Sequence, residues 1–152
     1  ELHSEETGKW IASLKGVQPS FLARKIVDQT STAGAATKVT FVEQIDNNNN
    51  YASDTWTPTI PGQWIVGYSL NGNNPGPTFQ YGYLYKNNAS LPEYLSLFYV
   101  PVNNFAILDK KIPNLQIVNT TDYFEVFIKL QTAANMLAEY SGIVFYAQRV
   151  SD

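Results

Sequence analysis

Residues that could carry out acid–base chemistry are few in this sequence. The only histidine is His3, close to the first residue, so a Ser-His-Asp triad has no well-placed base. Two carboxyl groups can together hydrolyse a glycosidic bond, and three close acidic pairs occur: Glu5 with Glu6, Glu43 with Asp46, and Asp122 with Glu125. The last two pairs straddle predicted strand ends, where charges usually face solvent. We therefore expect a protein that is not an enzyme.

Oxygen-bearing side chains concentrate between residues 46 and 54. Asp46, the asparagines at 47–50 and Asp54 could hold calcium, but the spacing of an EF-hand is missing. An Asn-rich hairpin turn is the alternative that we favour. The chain has no cysteine, which removes disulfides and thiolate metal sites. We expect no metal and no cofactor, with calcium as the open alternative.

Amide side chains offer a different chemistry in the segment "NGNNPGP" at residues 71–77. The amides of Asn71, Asn73 and Asn74 can hydrogen-bond sugar hydroxyls, and Tyr140 could add a stacking surface. The same asparagines could equally serve turn geometry alone. We predict these four residues as the ligand-binding site.

The composition indicates one globular domain. Of the 152 residues 44% are hydrophobic and 15% charged, and the apolar runs are too short to cross a bilayer. The first ten residues, "ELHSEETGKW", are acidic and polar and lack the apolar stretch of a signal peptide. A net charge of −3 disfavours a nucleic-acid partner, whose phosphates require a basic surface. We expect neither nucleic-acid binding nor membrane insertion.

Hydrophobic residues alternate with polar ones along most of the chain, which is the period of a β-strand. The alternation runs through "KVTFVEQI", "GQWIVGYSL", "TFQYGYLYKN", "DYFEVFIKLQ" and "GIVFYAQRV", with Asn-, Gly- and Pro-rich turns between them. Residues 131–140 favour helix by propensity but lie between strands, so we predict a long loop with at most one helical turn. The pattern predicts an all-β, antiparallel jelly-roll sandwich of about ten strands.

A Pro-Gly corner separates two of these strands. Pro61 fixes the φ of the second turn position, and Gly62 can adopt the positive φ that a type II turn requires next. After it, one face of the following strand carries Trp64, Val66, Tyr68 and Leu70. We predict that this face is buried.

The run from Lys38 to Gly72 resembles the globular head of the complement C1q family, within the tumour-necrosis-factor-like (TNF-like) jelly-roll superfamily. That family has a Phe-containing strand, an Asn-rich turn with Tyr, and an aromatic residue before P-x-x-G-x-Y-x-F. The corresponding residues here are Phe41, Asn47 to Asn50, Tyr51, Trp56, Pro58, Pro61, Gly62, Trp64, Val66 and Tyr68, with Trp64 and Val66 where Tyr and Phe are usual. "QPSFLARK" is similar to the family's first strand, "DYFEVFIKL" to its penultimate strand, and "YSGIVFY" to its last.

The resemblance implies a homotrimer that recognises a cell-surface glycan or protein receptor. We expect residues 19–152 to form the head and residues 1–18 a neck, with the stripe Phe79, Tyr81, Tyr83 and Tyr85 at the trimer interface. The absence of cysteine and the richness in Asn and Tyr favour the adhesin tip of a viral, phage or microbial fibre, at a virion surface or outside the cell. The alternatives are a capsid, filament or decoration protein and a secreted C1q/TNF-like ligand, whose route would also permit glycosylation at Asn88 and Asn119.

Strand direction predicts where the recognition surface lies. If the strands at 21–28, 62–71 and 123–130 run away from the chain ends, the segments that follow them gather at the opposite end. These segments are 29–37, 71–77 and 131–140, which include the four predicted ligand-binding residues.

Overall fold

The computed structural model describes residues 20–74, 78–101, 104–131, 135–136 and 142–151. These residues form fourteen strands and one 3₁₀ turn, and no α-helix occurs among them. The strands are β1 (Ser20–Arg24), β2 (Gln29–Thr30), β3 (Ala36–Lys38), β4 (Val42–Asp46), β5 (Tyr51–Ala52), β6 (Thr55–Trp56), β7 (Gly62–Asn74), β8 (Thr78–Lys86), β9 (Ala89–Ser90), β10 (Ser96–Val100), β11 (Asn104–Ile117), β12 (Phe124–Leu130), β13 (Asn135–Met136) and β14 (Val144–Ser151). The 3₁₀ turn spans Pro92–Tyr94. The predicted neck, His3 and the Glu5–Glu6 pair lie outside the described residues.

The strands form two antiparallel sheets around one core. The five-stranded sheet has the order β11-β7-β14-β1-β4, and the larger sheet has the order β10-β8-β12-β6-β5. Strand β3 also pairs with β12 and β9 with β8, while β13 and β2 form a separate short pair. The all-β jelly-roll prediction is confirmed. The strand number exceeds ten because five of the strands are only two residues long.

The core follows the inward faces that the alternation predicts. Trp64, Val66, Tyr68 and Leu70 are all buried, as expected for the strand after the Pro-Gly corner. The indole of Trp64 meets that of Trp56 edge-on, with 5.1 Å between ring centroids. Facing them, the buried side of β12 consists of Phe124, Val126, Ile128 and Leu130.

The segment "KVTFVEQI" was predicted as one strand, and this prediction is wrong. The segment spans the end of β3 and most of β4, which belong to different sheets. Strand β3 pairs with β12, and β4 pairs with β1. Val39 and Phe41 are buried at the crossing between the sheets, whereas Ile45 is exposed. A chain that changes sheets at a bend turns the corner of a sandwich.

The Pro-Gly corner opens β7 as expected. Gly62 has a φ of 129°, which confirms a positive φ at this position. The value differs from the roughly +80° of a type II turn, so the corner has its own geometry. Gly62 pairs with Ile117 on β11, which makes the corner the first residue of the longest strand pair.

Candidate recognition surfaces

The aromatic stripe of Phe79, Tyr81, Tyr83 and Tyr85 lies on the outward face of β8. The alternate residues Gln80, Gly82 and Leu84 are buried against the core, whereas Phe79 is exposed and the three tyrosines are half-buried. The period of two in a strand places these sets on opposite faces. The sequence therefore predicted a shared face correctly, and that face is turned away from the core.

The rings of the stripe form a continuous row with their neighbours. The Tyr81 and Tyr83 rings are nearly parallel, with an interplanar angle of 14° and centroids 6.1 Å apart. Tyr83 and Tyr85 are also 6.1 Å apart, and Tyr85 lies 4.1 Å from Phe127 on β12. At the other end the Phe79 ring packs edge-on against Tyr99 at 5.2 Å.

Few charges reach this row of rings. Glu125, the cross-strand neighbour of Tyr85, is buried and its Oε1 lies 2.6 Å from Lys38 Nζ. Thr55 Oγ1 donates a second hydrogen bond to the same oxygen, so this carboxylate is hydrogen-bonded to two partners within the protein. Burial, and next the Tyr81 and Tyr85 hydroxyls, raise the pKa of Tyr83, which keeps its hydroxyl protonated.

A second surface is an apolar edge formed by β10 and the neighbouring strand β11. Leu97, Phe98 and Tyr99 are 52%, 46% and 53% exposed, and Ile107 is 64% exposed. Within the described residues β10 pairs only with β8, so its other side is a sheet edge. The five residues of β10, "SLFYV", include no charge and no proline, the usual protection of such an edge.

Sequence reasoning did not single out this apolar edge. The alternation of this stretch gives no sign that both faces of β10 would be accessible. The available signal was the run of apolar residues without a charge. Whether such a run is buried or exposed depends on the position of the strand in its sheet, which is not a local property.

The structure describes only part of the predicted asparagine site. The prediction that residues 71–74 lie in a loop is wrong. Asn71, Asn73 and Asn74 belong to β7 rather than to a loop, because pairing with β11 continues to Asn74 opposite Asn104. The Asn71 side chain is only 8% exposed, and its Oδ1 accepts no hydrogen bond within the described part of the chain. Tyr140 and residues 75–77 lie outside the described residues.

The segments after β1 and β12 do meet at one end of the sandwich. Strand β2 pairs with β13 through Thr30 and Asn135, and Gly34 N donates to Leu130 O at 2.7 Å. Strand β13 also contacts β7, the strand that leads into residues 75–77. Met136 on β13 is fully buried, so this end is closed by a core residue.

The acidic residues considered for catalysis or calcium hold turns together. Asp46 accepts hydrogen bonds from the backbone N–H groups of Asn48 and Tyr51, at 3.2 and 2.9 Å. Asp54 Oδ1 accepts from Phe41 N at 2.6 Å. The bond from Asn48 to Asp46 is the local Asx contact typical of a turn, whereas Asp54 ties its own turn to the distant Phe41.

Asp122 likewise has partners inside the protein. Its Oδ2 lies 2.8 Å from Lys86 Nζ, and Asn87 Nδ2 donates to its Oδ1 at the same distance. The hydrogen bonds from Lys86 and Asn87 lower the pKa of Asp122. Among the described residues no group of three His, Asp or Glu residues is arranged to hold a metal.

One buried cation was not foreseen. Lys25 is buried, and its Nζ donates to Gln29 Oε1, Thr40 O and Thr40 Oγ1 at 2.8, 3.1 and 3.2 Å. Burial lowers its pKa to about 8, with Asp54 and Asp28 opposing the shift. Because Gln29 Nε2 in turn donates to Lys38 O, the network fastens the segment after β1 to β3.

The two sheets and their connections define the C1q/TNF-like jelly-roll fold. Similar solved structures include murine APRIL at pH 5.0 (TM-score 0.63, 10% identity, covering 88% of this chain and 99% of that one). They also include Eiger TNF from S. frugiperda (0.61, 10%, 90% and 93%) and the globular domain of zebrafish complement 1qA protein (0.59, 14%, 88% and 97%). No protein-family model and no curated protein matches the sequence. Within the described residues no helix is long and apolar enough to cross a membrane.

Proposed function

We propose that this protein is a non-enzymatic recognition head that works as a homotrimer and binds a receptor on a cell surface. The fold supports this proposal. The resemblance to C1q and TNF-like domains implies a homotrimer that recognises a receptor, and the chain has the fold of those domains. The acidic residues add support, since Asp46, Asp54, Asp122 and Glu125 each accept hydrogen bonds that hold parts of the chain together.

The apolar edge is the observation that carries the trimer. Side chains of Leu97, Phe98, Tyr99 and Ile107 expose about half or more of their surface on adjoining strands. Large apolar residues left exposed at an unprotected edge strand favour pairing or burial against another chain. We therefore place the subunit contact here, together with the Phe79 end of the aromatic stripe. Tyr81, Tyr83 and Tyr85 are already half-covered by one another.

We propose the tip of a viral, phage or microbial fibre as the setting, with residues 1–18 as the neck and 19–152 as the head. A cysteine-free, Asn- and Tyr-rich composition supports this over a secreted animal ligand. A capsid or decoration protein would use the same trimer for assembly alone. The sequons at Asn88 and Asn119 are both exposed, so glycosylation in a secretory route is sterically allowed.

Light scattering tests the trimer. The wild-type protein should have three times the 17.0 kDa mass of one chain at micromolar concentration. Phe98→Asp should reduce the mass to that of one chain, because it places a charge in the apolar edge. Val118→Asp is the matched control, since Val118 is 73% exposed and lies outside that edge. A wild-type monomer would overturn the trimer.

Cell labelling separates a recognition head from an assembly protein. A fluorescent trimer should label a subset of bacterial or animal cell types saturably, and unlabelled trimer should compete. The Phe98→Asp monomer should bind more weakly, because three linked sites give avidity that one lacks. Labelling of no cell type would favour the structural role.

A further inference from the structure

We propose that the row of rings Tyr81, Tyr83, Tyr85 and Phe127, here called the tyrosine ladder, binds a linear, uncharged oligosaccharide. This inference rests on the proposed function and assigns a partner class to the recognition head. It concerns the outward face of the larger sheet, away from the asparagine segment at 71–77.

The spacing of the rings suits a linear chain of sugars. Three tyrosines at every second position of β8 place their rings in line along the strand, at successive distances of 6.1 Å. Phe127 extends the row sideways onto β12. The apolar C–H face of a pyranose packs against an aromatic ring, and consecutive sugars present such faces at regular intervals. An aromatic row therefore matches a polymer better than it matches a single compact ligand.

The hydroxyl groups of the ladder are available for hydrogen bonds. Tyr81, Tyr83 and Tyr85 make ring contacts, but within the described residues none of their hydroxyls has a hydrogen-bond partner. A tyrosine hydroxyl both donates and accepts, which is the complement of a sugar hydroxyl. The raised pKa of Tyr83 keeps its hydroxyl neutral and able to do both.

The charges around the ladder favour a neutral glycan. Glu125 is neutralised by Lys38, and Lys129 stands opposite Tyr81 at one end of the row. Sulfated or sialylated chains would need several cations along the row, and the ladder positions themselves carry none. The ladder thus offers a row of partly exposed aromatic rings with neutral hydroxyls, which suits an uncharged sugar polymer.

Two other occupants fit less well. A second copy of the chain is proposed to pack against the apolar edge, because the residues there are more exposed than the half-buried tyrosines. A proline-rich peptide would prefer an aromatic groove. The ladder instead runs along β8 in the interior of a sheet, with β10 on one side and β12 on the other.

The test uses the intact chain on an array of neutral, sialylated and sulfated glycans, followed by calorimetry with the best neutral oligosaccharide. Tyr83→Ser should weaken binding about tenfold, because one stacked ring is lost. Tyr83→Phe, which keeps the ring, should weaken it less. Tyr146→Ser is the control, because Tyr146 is a half-buried tyrosine packed over Gly67 on the opposite sheet. Circular dichroism and light scattering verify that each variant folds and assembles.

Selective binding to neutral glycans, lost with Tyr83→Ser and kept with Tyr146→Ser, supports the ladder. Binding that survives Tyr83→Ser, binding to charged glycans only, or displacement of the sugar by a proline-rich peptide overturns it. Protection of the three tyrosines from nitration in the glycan-free assembly would show that a second copy covers them, and also overturns it. None of these results bears on the recognition head itself, which fails only if the protein is monomeric or labels no cells.

Discussion

The hydroxyl of Tyr68 crosses from one sheet to the other and donates to Gly82 O at 2.8 Å. The same hydroxyl lies 3.0 Å from Tyr94 O, so its single hydrogen is shared between a carbonyl in β8 and one in the 3₁₀ turn. The close approach depends on the glycine, because a Cβ at position 82 would stand 2.8 Å from Tyr68 Cε2. Burial raises the pKa of Tyr68, as expected for a phenol enclosed between sheets.

Gly82→Ala should destabilise the protein by about 1–3 kcal/mol, since the added methyl group forces the Tyr68 ring to move within a packed core. Urea unfolding followed by fluorescence measures the change in free energy. Gly142→Ala is the matched control, because a Cβ there has no neighbour within 4 Å. Equal stability of the two variants would contradict the close contact.

Trp64→Ala should cost roughly 3–5 kcal/mol, the loss typical of a large aromatic residue removed from a core. Trp64 is fully buried, contacts Trp56, and donates its Nε1–H to Ile60 O at 3.3 Å. The same unfolding experiment measures the loss. A decrease below about 1 kcal/mol would mean that the indole is not a central core residue.

Gly62→Val should destabilise by about 1–3 kcal/mol, because a β-branched side chain is strained at a φ of 129°. Gly142→Val provides the comparison, since its φ is outside the positive range and its surroundings are open. The melting temperature of each variant gives the result. No difference between them would show that the corner relaxes to an ordinary φ.

The buried Lys25 makes stability depend on alkaline pH. Its pKa falls from 10.5 to about 8 on folding, so between these values the unfolded chain binds more protons and the free energy of unfolding rises with pH. Tyr51 has the opposite effect, because burial first and then Asp54 raise its pKa above the ordinary 10.0. Above that pH the unfolded tyrosine ionises first and stability falls.

When urea unfolding is measured from about pH 7 to about pH 11, the free energy of unfolding should therefore first rise and then fall. Lys25→Met should remove the rise and leave the fall, because Tyr51 is retained. A flat profile for the wild-type protein between pH 8 and 10 would contradict the lowered pKa of Lys25.

The local sequence pattern predicted the strands and buried faces of most of the sandwich. It did not predict where a strand changes its partner or where it ends. Trp64 and Phe124 lie at alternate positions in uninterrupted strands, so their burial follows from the period of two alone. The crossing at residues 39–41 could not be predicted, because apolar residues continue at odd positions across it while the partner strand changes from β12 to β1.

The same limit applies to the candidate site. Asn and Gly favour turns, which placed a loop at 71–77, yet pairing with β11 extends β7 through Asn74. The aromatic stripe was recognisable from spacing, but the accessibility of Leu97 and Phe98 depends on β10 lying at a sheet edge. Which strand becomes an edge is decided by the whole topology.

The asparagine segment remains a second proposed recognition surface, at the end where β2, β13 and β7 meet. Replacing Asn73 and Asn74 together by Ala should leave folding and assembly unchanged, because their backbones pair with β11 whatever side chains they carry. Cell attachment should decrease, since each trimer would lose three weak sites at once and with them the avidity. Asn114→Ala is the control, because Asn114 is an exposed asparagine near the end of β11 that lies away from Asn73 and Asn74. If attachment persists in the double variant but is lost with Tyr83→Ser, recognition belongs to the side of the sandwich and not to its loop end.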